Sequence, residues 1–300
     1  MSDSKDISGL ITAFERLCIS DQIPSRGDGD GEANSNYSID GGSLANPLED
    51  IKRRVKNPSE HILLVGESET LSTTLALAAM RGSFDNIQSS SINLLDLKSD
   101  AEGVAHFIGL MRKNIKQCNE KVNRMRYGDL IIDLLIDKDD PSVDDLLRRL
   151  SLHIDATKIS ESIRQLREPI DTSIIFFNFP WITLQQRAQN CNNAELLQRF
   201  VESAALQQSK GGILLIGLTT HPQYRYQYAI EDLIDFATMQ GYPEHHKEFI
   251  GEADDTRNPS FLRDFINHGY RHHSENQYAV QTHQRLVVGG SDLHVFIKGD

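Results

Sequence analysis

Two short apolar runs in this chain stop at residues suited to contact with a ligand. "HILLVGE" ends at Gly66-Glu67, and "TSIIFFNFPWI" ends at Asn178-Phe179-Pro180, followed by Trp181, the only tryptophan. An asparagine amide offers an acceptor and a donor, so at a strand end it can hold the edge of a base or an amide. Proline fixes its own backbone angle and so aims the carbonyl that follows. Phe179 and Trp181 could stack on a planar substrate, as aromatic platforms do for single-stranded bases, or close the edge of a core. Gly66 removes a side-chain obstacle, so backbone can approach a ligand there. The turn is neither GxGxxG nor GxxxxGK[ST], so it does not specify a dinucleotide or a triphosphate.

Acids fall at two further expected strand ends. Asp96 closes "SINLLDL" (91–97) and could accept both hydroxyls of a ribose. It could equally be a solvated strand end or a helix cap. Asp155, in "SLHIDATKI" (151–159), could bond an adenine amino group or cap the helix that follows. Histidines pair as His245-His246 and His272-His273. They lack the spacing of a zinc site and no HExxH is present, so surface histidines are expected. No GxSxG supports a hydrolase elbow. The run Asp28-Gly29-Asp30-Gly31 lacks the glycine and glutamate positions of a calcium loop.

The elements that must position these residues alternate. A first strand, "HILLVGE", leads to a helix "TLSTTLALAAMRG" ending at Gly82, then the strand at 91–97. Residues 100–124 show one long helical pattern, 129–137 is ambiguous between strand and helix, and "SVDDLLRRL" is helical with Pro141 near its start. A short strand at 151–159, the strand "DTSIIFFNFP", a helix "NNAELLQRFVESAALQQS", the strand "GILLIGLTT" and a helix "YAIEDLIDFATMQG" closed by Gly241 follow. "RLVVGG" and "LHVFIKG" could form a terminal hairpin. This order predicts an α/β fold with a doubly wound, Rossmann-like, mostly parallel sheet, which binds ligands at the carboxyl ends of its strands. The expected domains are 1–45, an N-terminal helix (Ile7, Leu10, Ile11, Phe14 and Leu17 at helical spacing) with a flexible Gly-rich linker, and 46–300, the Rossmann-like domain.

Hydrophobic residues make up 39% of the 300 and charged residues 25%, as in a globular chain. No apolar run approaches the ~20 residues of a membrane span, and the first residues do not resemble a secretory signal. Three separated cysteines make no disulfide framework, so a reducing, cytoplasmic setting is expected. The net charge of -12 limits any nucleic-acid footprint to local patches: "IKRRVK" (51–56), "MRKNIK" (111–116), "NRMR" (123–126) and "YRHH" (270–273). Each could instead be a solvated helix face or turn. The N-terminal helix could pack on its own domain or bind a partner protein.

Taken in order, "ILLVGESETLSTTLALA", "HIDATKI", "IIFFNFPWI", "LLQRFVESAALQQSKGGILLIGL" and "FINHGYRHH" resemble the Rossmann-like methyltransferases of the large-subunit ribosomal RNA (uridine-N3) type, over roughly residues 60 to 275. The resemblance implies a class I fold using S-adenosylmethionine. It implies that Gly66 and Glu67 line the methionine end of that cofactor, Asp96 holds the ribose and Asp155 sits near the adenine. Asn178, Phe179 and Pro180 would face the target base, with Trp181, Tyr270 and His272 around the substrate. Local basic patches would meet RNA. The chain departs from the family at the first turn, Gly-Glu-Ser-Glu, where Leu71-Ser72 replaces an aromatic-Ser pair, and at Trp181, where the family has histidine. Those departures also fit a fold kept as a non-catalytic binding module, or an enzyme acting on a small molecule or protein.

Overall fold

The computed structural model describes residues 47–67, 70–91, 97, 101–136, 141–166, 169–180, 182, 192–220, 227–250, 261–271 and 290–300. The expected N-terminal helix and linker, Asp96, Trp181 and His272 lie outside the described residues. The described elements are α1 (Pro47–Lys56), β1 (Ile62–Val65), α2 (Ser72–Arg81), β2 (Ile87–Ser89), α3 (Ala101–Gln117), α4 (Lys121–Ile136) and α5 (Pro141–Leu150). A 3-10 turn (Ala156–Lys158) runs into α6 (Ile159–Arg164). Then come β3 (Ile174–Asn178), α7 (Asn193–Ala205), β4 (Ile213–Thr219), α8 (Ile230–Met239), β5 (Glu244–Ile250), α9 (Phe261–Asn267) and β6 (Ser291–Ile297).

The six strands form one sheet in the order β2-β1-β3-β4-β6-β5. β2, β1, β3 and β4 are parallel, and β6 runs antiparallel between β4 and β5. A single parallel bridge, Ser90 to Leu152, adds one more position beyond β2. Alternate side chains serve opposite faces. Ile62, Leu64, Ile174, Phe176, Ile213 and Leu215 pack with α1 to α5 and α9. Leu63, Val65, Ile175, Phe177, Leu214 and Ile216 pack with α6, α7 and α8. Both faces are therefore covered, which is why these strands read as continuous apolar runs. The result is a mostly parallel, doubly wound, Rossmann-like sheet.

Helix ends follow local chemistry. Gly82 closes α2 in the left-handed conformation (φ 69°), its N–H donating to the Ala78 carbonyl. The Asn192 side chain accepts from the Glu195 N–H at 2.8 Å and starts α7. Pro141 opens α5.

Several expectations are corrected. The strand that pairs with β1 at this edge is Ile87–Ser89, joined through three residues; the expected strand at 91–97 falls on residues 92–96, which lie outside the described residues. The helical pattern at 100–124 breaks at Cys118–Glu120 into α3 and α4, and the ambiguous 129–137 is helical through Ile136. "SLHIDATKI" supplies one bridge and a 3-10 turn, not a strand. The terminal strand β6 pairs with β4 and β5; the other half of the expected hairpin, "RLVVGG", lies outside the described residues apart from Gly290.

The strand "EHHKEFI" (β5) carries no apolar alternation, as suits a charged edge strand. Its histidines, His245 and His246, are half-buried rather than fully exposed. His245 and His294 stack across β5 and β6 with ring centroids 5.3 Å apart, and the Nε2 of His245 lies 3.1 Å from the Nδ1 of His294. Burial, then the neighbouring His245 and Lys247, push His294 down to about 3; burial also lowers His245. A depressed imidazole contributes stability above its unfolded value of ~6.5 and loses it as pH falls toward the folded value. The wild-type urea midpoint should therefore fall between about pH 6.5 and pH 4, and His294→Gln should lose less over that interval. An equal loss in both proteins would refute the assignment.

Candidate functional site

The site grows from the pairing of β1 with β3. Val65 stands opposite Phe177, so the chain leaves the two strands at adjacent residues, Gly66 and Asn178. Here the strand order reverses: β2 lies on one side of β1, and β3 on the other. Ligands bind open α/β sheets at such a switch point. Gly66 has φ 71°, and a Cβ there would collide with the Phe177 ring. That ring is held in turn by Phe200, edge to face at 5.0 Å between centroids.

Glu67 turns inward and is 7% exposed. Its N–H donates to the Ser90 carbonyl at 2.9 Å. Its Oε2 accepts from the Thr73 N–H at 3.1 Å, the Thr74 N–H at 3.2 Å and the Thr74 hydroxyl at 3.2 Å. The Thr74 hydroxyl lies 2.8 Å from that of Ser89. Leu71, at the start of α2, has φ 49° and caps nothing with its side chain. Glu67 thus supplies from six residues away the anionic cap that α2 lacks locally. Burial raises its carboxyl above the ordinary range, opposed by the bonds from Thr73 and Thr74.

Asn178 ends β3 half-buried. Its Oδ1 lies 2.5 Å from where a Cβ on Gly217 would stand, so Gly217 on β4 leaves the room this amide occupies. Phe179 adopts φ 52° and donates its N–H to the Gly217 carbonyl at 2.9 Å. The Pro180 carbonyl accepts from the Tyr228 hydroxyl at 3.4 Å. Tyr270, beyond α9, is 5% exposed and stacks on Phe179 (centroids 6.4 Å apart, planes at 22°). Its hydroxyl is hydrogen-bonded to Asn178 and close enough to feel the Glu67 charge; burial and that charge raise it well above the usual phenol range. The Arg271 N–H donates to the Ser72 hydroxyl at 2.5 Å, tying this segment to the start of α2.

The structure therefore brings Gly66, Glu67, Asn178, Phe179 and Tyr270 together at one end of the sheet. Asp155 stands three residues past the Ser90–Leu152 bridge, where it caps the 3-10 turn: its Oδ1 accepts from the Thr157 N–H at 2.8 Å and the Thr157 hydroxyl at 2.7 Å. Among the described residues its Oδ2 has no partner. Thr73, Thr74 and Gly217 also shape the site. The sequence signal for Gly217 was a lone glycine inside the strand pattern "LLIGLTT"; Thr73 and Thr74 gave none, because their role depends on Glu67 folding back.

Two outcomes check this geometry. Gly66→Ala should cost at least about 1–3 kcal/mol from its backbone angle alone, with the Phe177 collision added, read as a lower urea midpoint; an unchanged midpoint would refute the close approach. For Glu67, a raised folded value means stability is full below the ordinary carboxylate range of ~4.3 and is lost as pH rises through the folded value. Relative to Glu67→Gln, the wild type should lose stability as pH rises above about 4.3. A constant difference would show that the carboxyl is not perturbed.

The family model described as "BMT5-like: rRNA (uridine-N3-)-methyltransferase BTM5-like" matches residues 140–245, which hold Asp155, Asn178, Phe179 and Pro180. No curated protein matches the chain. Among solved structures, an rRNA methylase from Streptococcus thermophilus is 11% identical, with 86% of this chain and 100% of that chain covered and a TM-score of 0.36. A variant 16S rRNA (adenine(1408)-N(1))-methyltransferase with cosubstrate SAM, from Catenulisporales acidiphilia, is 11% identical, with 84% and 91% covered and a TM-score of 0.39. TrmN from Thermus thermophilus is 12% identical, with 85% and 51% covered and a TM-score of 0.35. Residues 140–245 are thus similar to the rRNA (uridine-N3) methyltransferase family model, within a chain whose sheet topology is Rossmann-like.

Proposed function

We propose that this protein is an S-adenosylmethionine-dependent methyltransferase acting on a planar ring nitrogen of a nucleobase in RNA, with uridine N3 as the closest chemistry. The observation that supports it is the convergence of Gly66, Asn178, Phe179 and Tyr270 at the switch point between β1 and β3. The residues present fit the cofactor. The Gly66 turn lets backbone approach a ligand, and the uncommitted Oδ2 of Asp155 matches an adenine amino group. Asp96 is assigned to the ribose. When bound, S-adenosylmethionine supplies an electrophilic methyl group.

The chain's own residues do the rest. The Asn178 amide, fixed between Tyr270 and Gly217, orients the imide edge of the base through its donor and acceptor. Phe179 offers a ring face to the base, and Trp181 is assigned to the substrate as well. Glu67 holds the start of α2. The ring nitrogen must lose its proton as it gains the methyl group, and His272 or His273, just beyond Tyr270 in the sequence, is assigned as the base. Holding the nucleophile in line accounts for most of the rate in such a reaction. RNA is the assigned partner, and residues 1–45 are assigned as a partner-binding extension of a domain spanning 46–300, in a cytoplasmic setting. Among the described residues no helix is long and apolar enough to cross a membrane.

A second reading, a fold kept as a binding module without catalysis, is favoured by Glu67, whose Oε2 is committed to the start of α2. Calorimetric titration with S-adenosylmethionine and S-adenosylhomocysteine, then transfer of a labelled methyl group to extracted RNA, separates the readings. Micromolar binding lost in Asp96→Ala, with nuclease-sensitive transfer, is expected. Binding with nuclease-resistant transfer would move the acceptor to a small molecule or protein. No binding by the folded protein would leave the binding module.

A further inference from the structure

Three of the four basic stretches, separate in sequence, meet in the fold. The tip of the α3–α4 hairpin carries Arg112, Lys113, Lys116, Lys121, Arg124 and Arg126, with Glu120 the only acid between 112 and 126. All six cations are exposed. The surrounding chain has a net charge of -12, so this concentration is local. Among the described residues no ion pair involves Arg112, Lys113, Lys116 or Lys121. Arg124 and Arg126 donate to the backbone carbonyls of Cys118 and Met80 at 2.6 and 3.0 Å, bonds that leave their charge uncompensated. The fourth stretch, on α1, behaves differently. Lys52 pairs with Glu49 and Glu248, Arg53 with Asp50, Arg54 with Glu60 and Lys56 with Asp264.

The hairpin tip is fastened to the segment that carries Tyr270. Asn123 Nδ2 donates to the Asn267 carbonyl at 3.4 Å, and Asn267 Nδ2 donates to Glu120 at 3.2 Å. Arg271 Nη2 donates to the Gln117 carbonyl at 3.0 Å. Gly269 (φ 95°) lies so close that an added Cβ would stand 3.2 Å from the Asn114 carbonyl and 3.3 Å from the Cys118 sulfur. One residue on, Tyr270 stacks on Phe179. The cations are thus anchored beside the candidate base site. Val122 and Met125, each 60% exposed, sit among them and offer apolar contact to sugars or unstacked bases.

We propose that the tip of the α3–α4 hairpin, with Arg271 at its base, is the docking surface for the sugar-phosphate backbone of an RNA strand, holding it so that one base reaches Asn178. This rests on the reading of the acceptor as RNA. Phosphate binding by uncompensated cations is driven by counterion release and so is read in its salt dependence.

The test uses the full chain and a fluorescein-labelled, uridine-rich single-stranded RNA of about 24 nucleotides, titrated between about 50 and 200 mM KCl. The variant is Lys113→Glu/Lys116→Glu/Lys121→Glu. The charge-matched control is Arg53→Glu/Arg199→Glu/Lys210→Glu, on three other exposed elements. The tip variant should bind at least about tenfold more weakly, with a salt slope reduced by about 2, while the control stays near wild type. S-adenosylhomocysteine titration of each protein shows that fold and cofactor site persist. Wild-type RNA affinity in the tip variant would overturn the proposal, as would equal losses in tip variant and control. Binding of S-adenosylhomocysteine without RNA binding at low salt would overturn the docking surface and leave cofactor use standing. No S-adenosylhomocysteine binding, with tip-dependent RNA binding, would sink the enzymatic reading alone. Polyglutamate binding as tightly and with the same slope as the RNA would reassign the surface to an acidic protein.

Discussion

The contact of the Phe177 ring with Gly66 is the constraint on which the rest depends. Two strands from distant parts of the chain can pair in parallel anywhere along an apolar run. Here the register places a phenyl ring where residue 66 would carry a side chain, and only glycine at a positive φ accommodates it. That fixes where β1 must stop and turn. Asn178 then leaves β3 at the same level, and Gly217 on the next strand leaves room for its amide. A similar economy on two neighbouring strands thus creates both the opening and the polar group that faces it.

Tyr270 joins what that constraint assembles. Its hydroxyl meets Asn178 and the field of Glu67, its ring lies on Phe179, and the next residue bonds Ser72. A phenol with so little exposure keeps its proton, so it acts as a fixed dipole between two polar groups rather than as an acid. Glu67 is held in the same manner by α2. The polar heart of the site is therefore internally satisfied before any ligand arrives, and what it presents outward is the half-buried pair Asn178 and Phe179.

The sheet was legible where strands are buried on both faces. "ILLV", "IIFF" and "ILLIGL" needed no partner to be read, because covering both sides demands unbroken apolar runs. The switch-point pair Gly66 and Asn178 followed from those strand ends. Elsewhere the signal was absent for physical reasons. β5 is an edge strand whose charges serve the edge rather than a core. β2 is three residues long, too short for a period. Asp155 read as either ligand or cap, and local bonds to Thr157 decide for the cap at one oxygen. The inward turn of Glu67 and the meeting of Arg271 with Gln117 are contacts across sequence that no local pattern encodes.

The placement of β6 bears on the order in which this molecule is made. The strand lies between β4 and β5 although it follows both in the chain. Until residues 291–297 have emerged from the ribosome, β4 has an open edge beyond β3, and β5 has no neighbour at all. A nascent chain therefore carries an apolar strand edge, "ILLIGLT", through the synthesis of some seventy further residues. The charged side chains of β5 suit that interval, since its first five residues, Glu, His, His, Lys and Glu, can wait in water without pairing wrongly. The last strand acts as a keystone, and the sheet becomes continuous only when it slides into place.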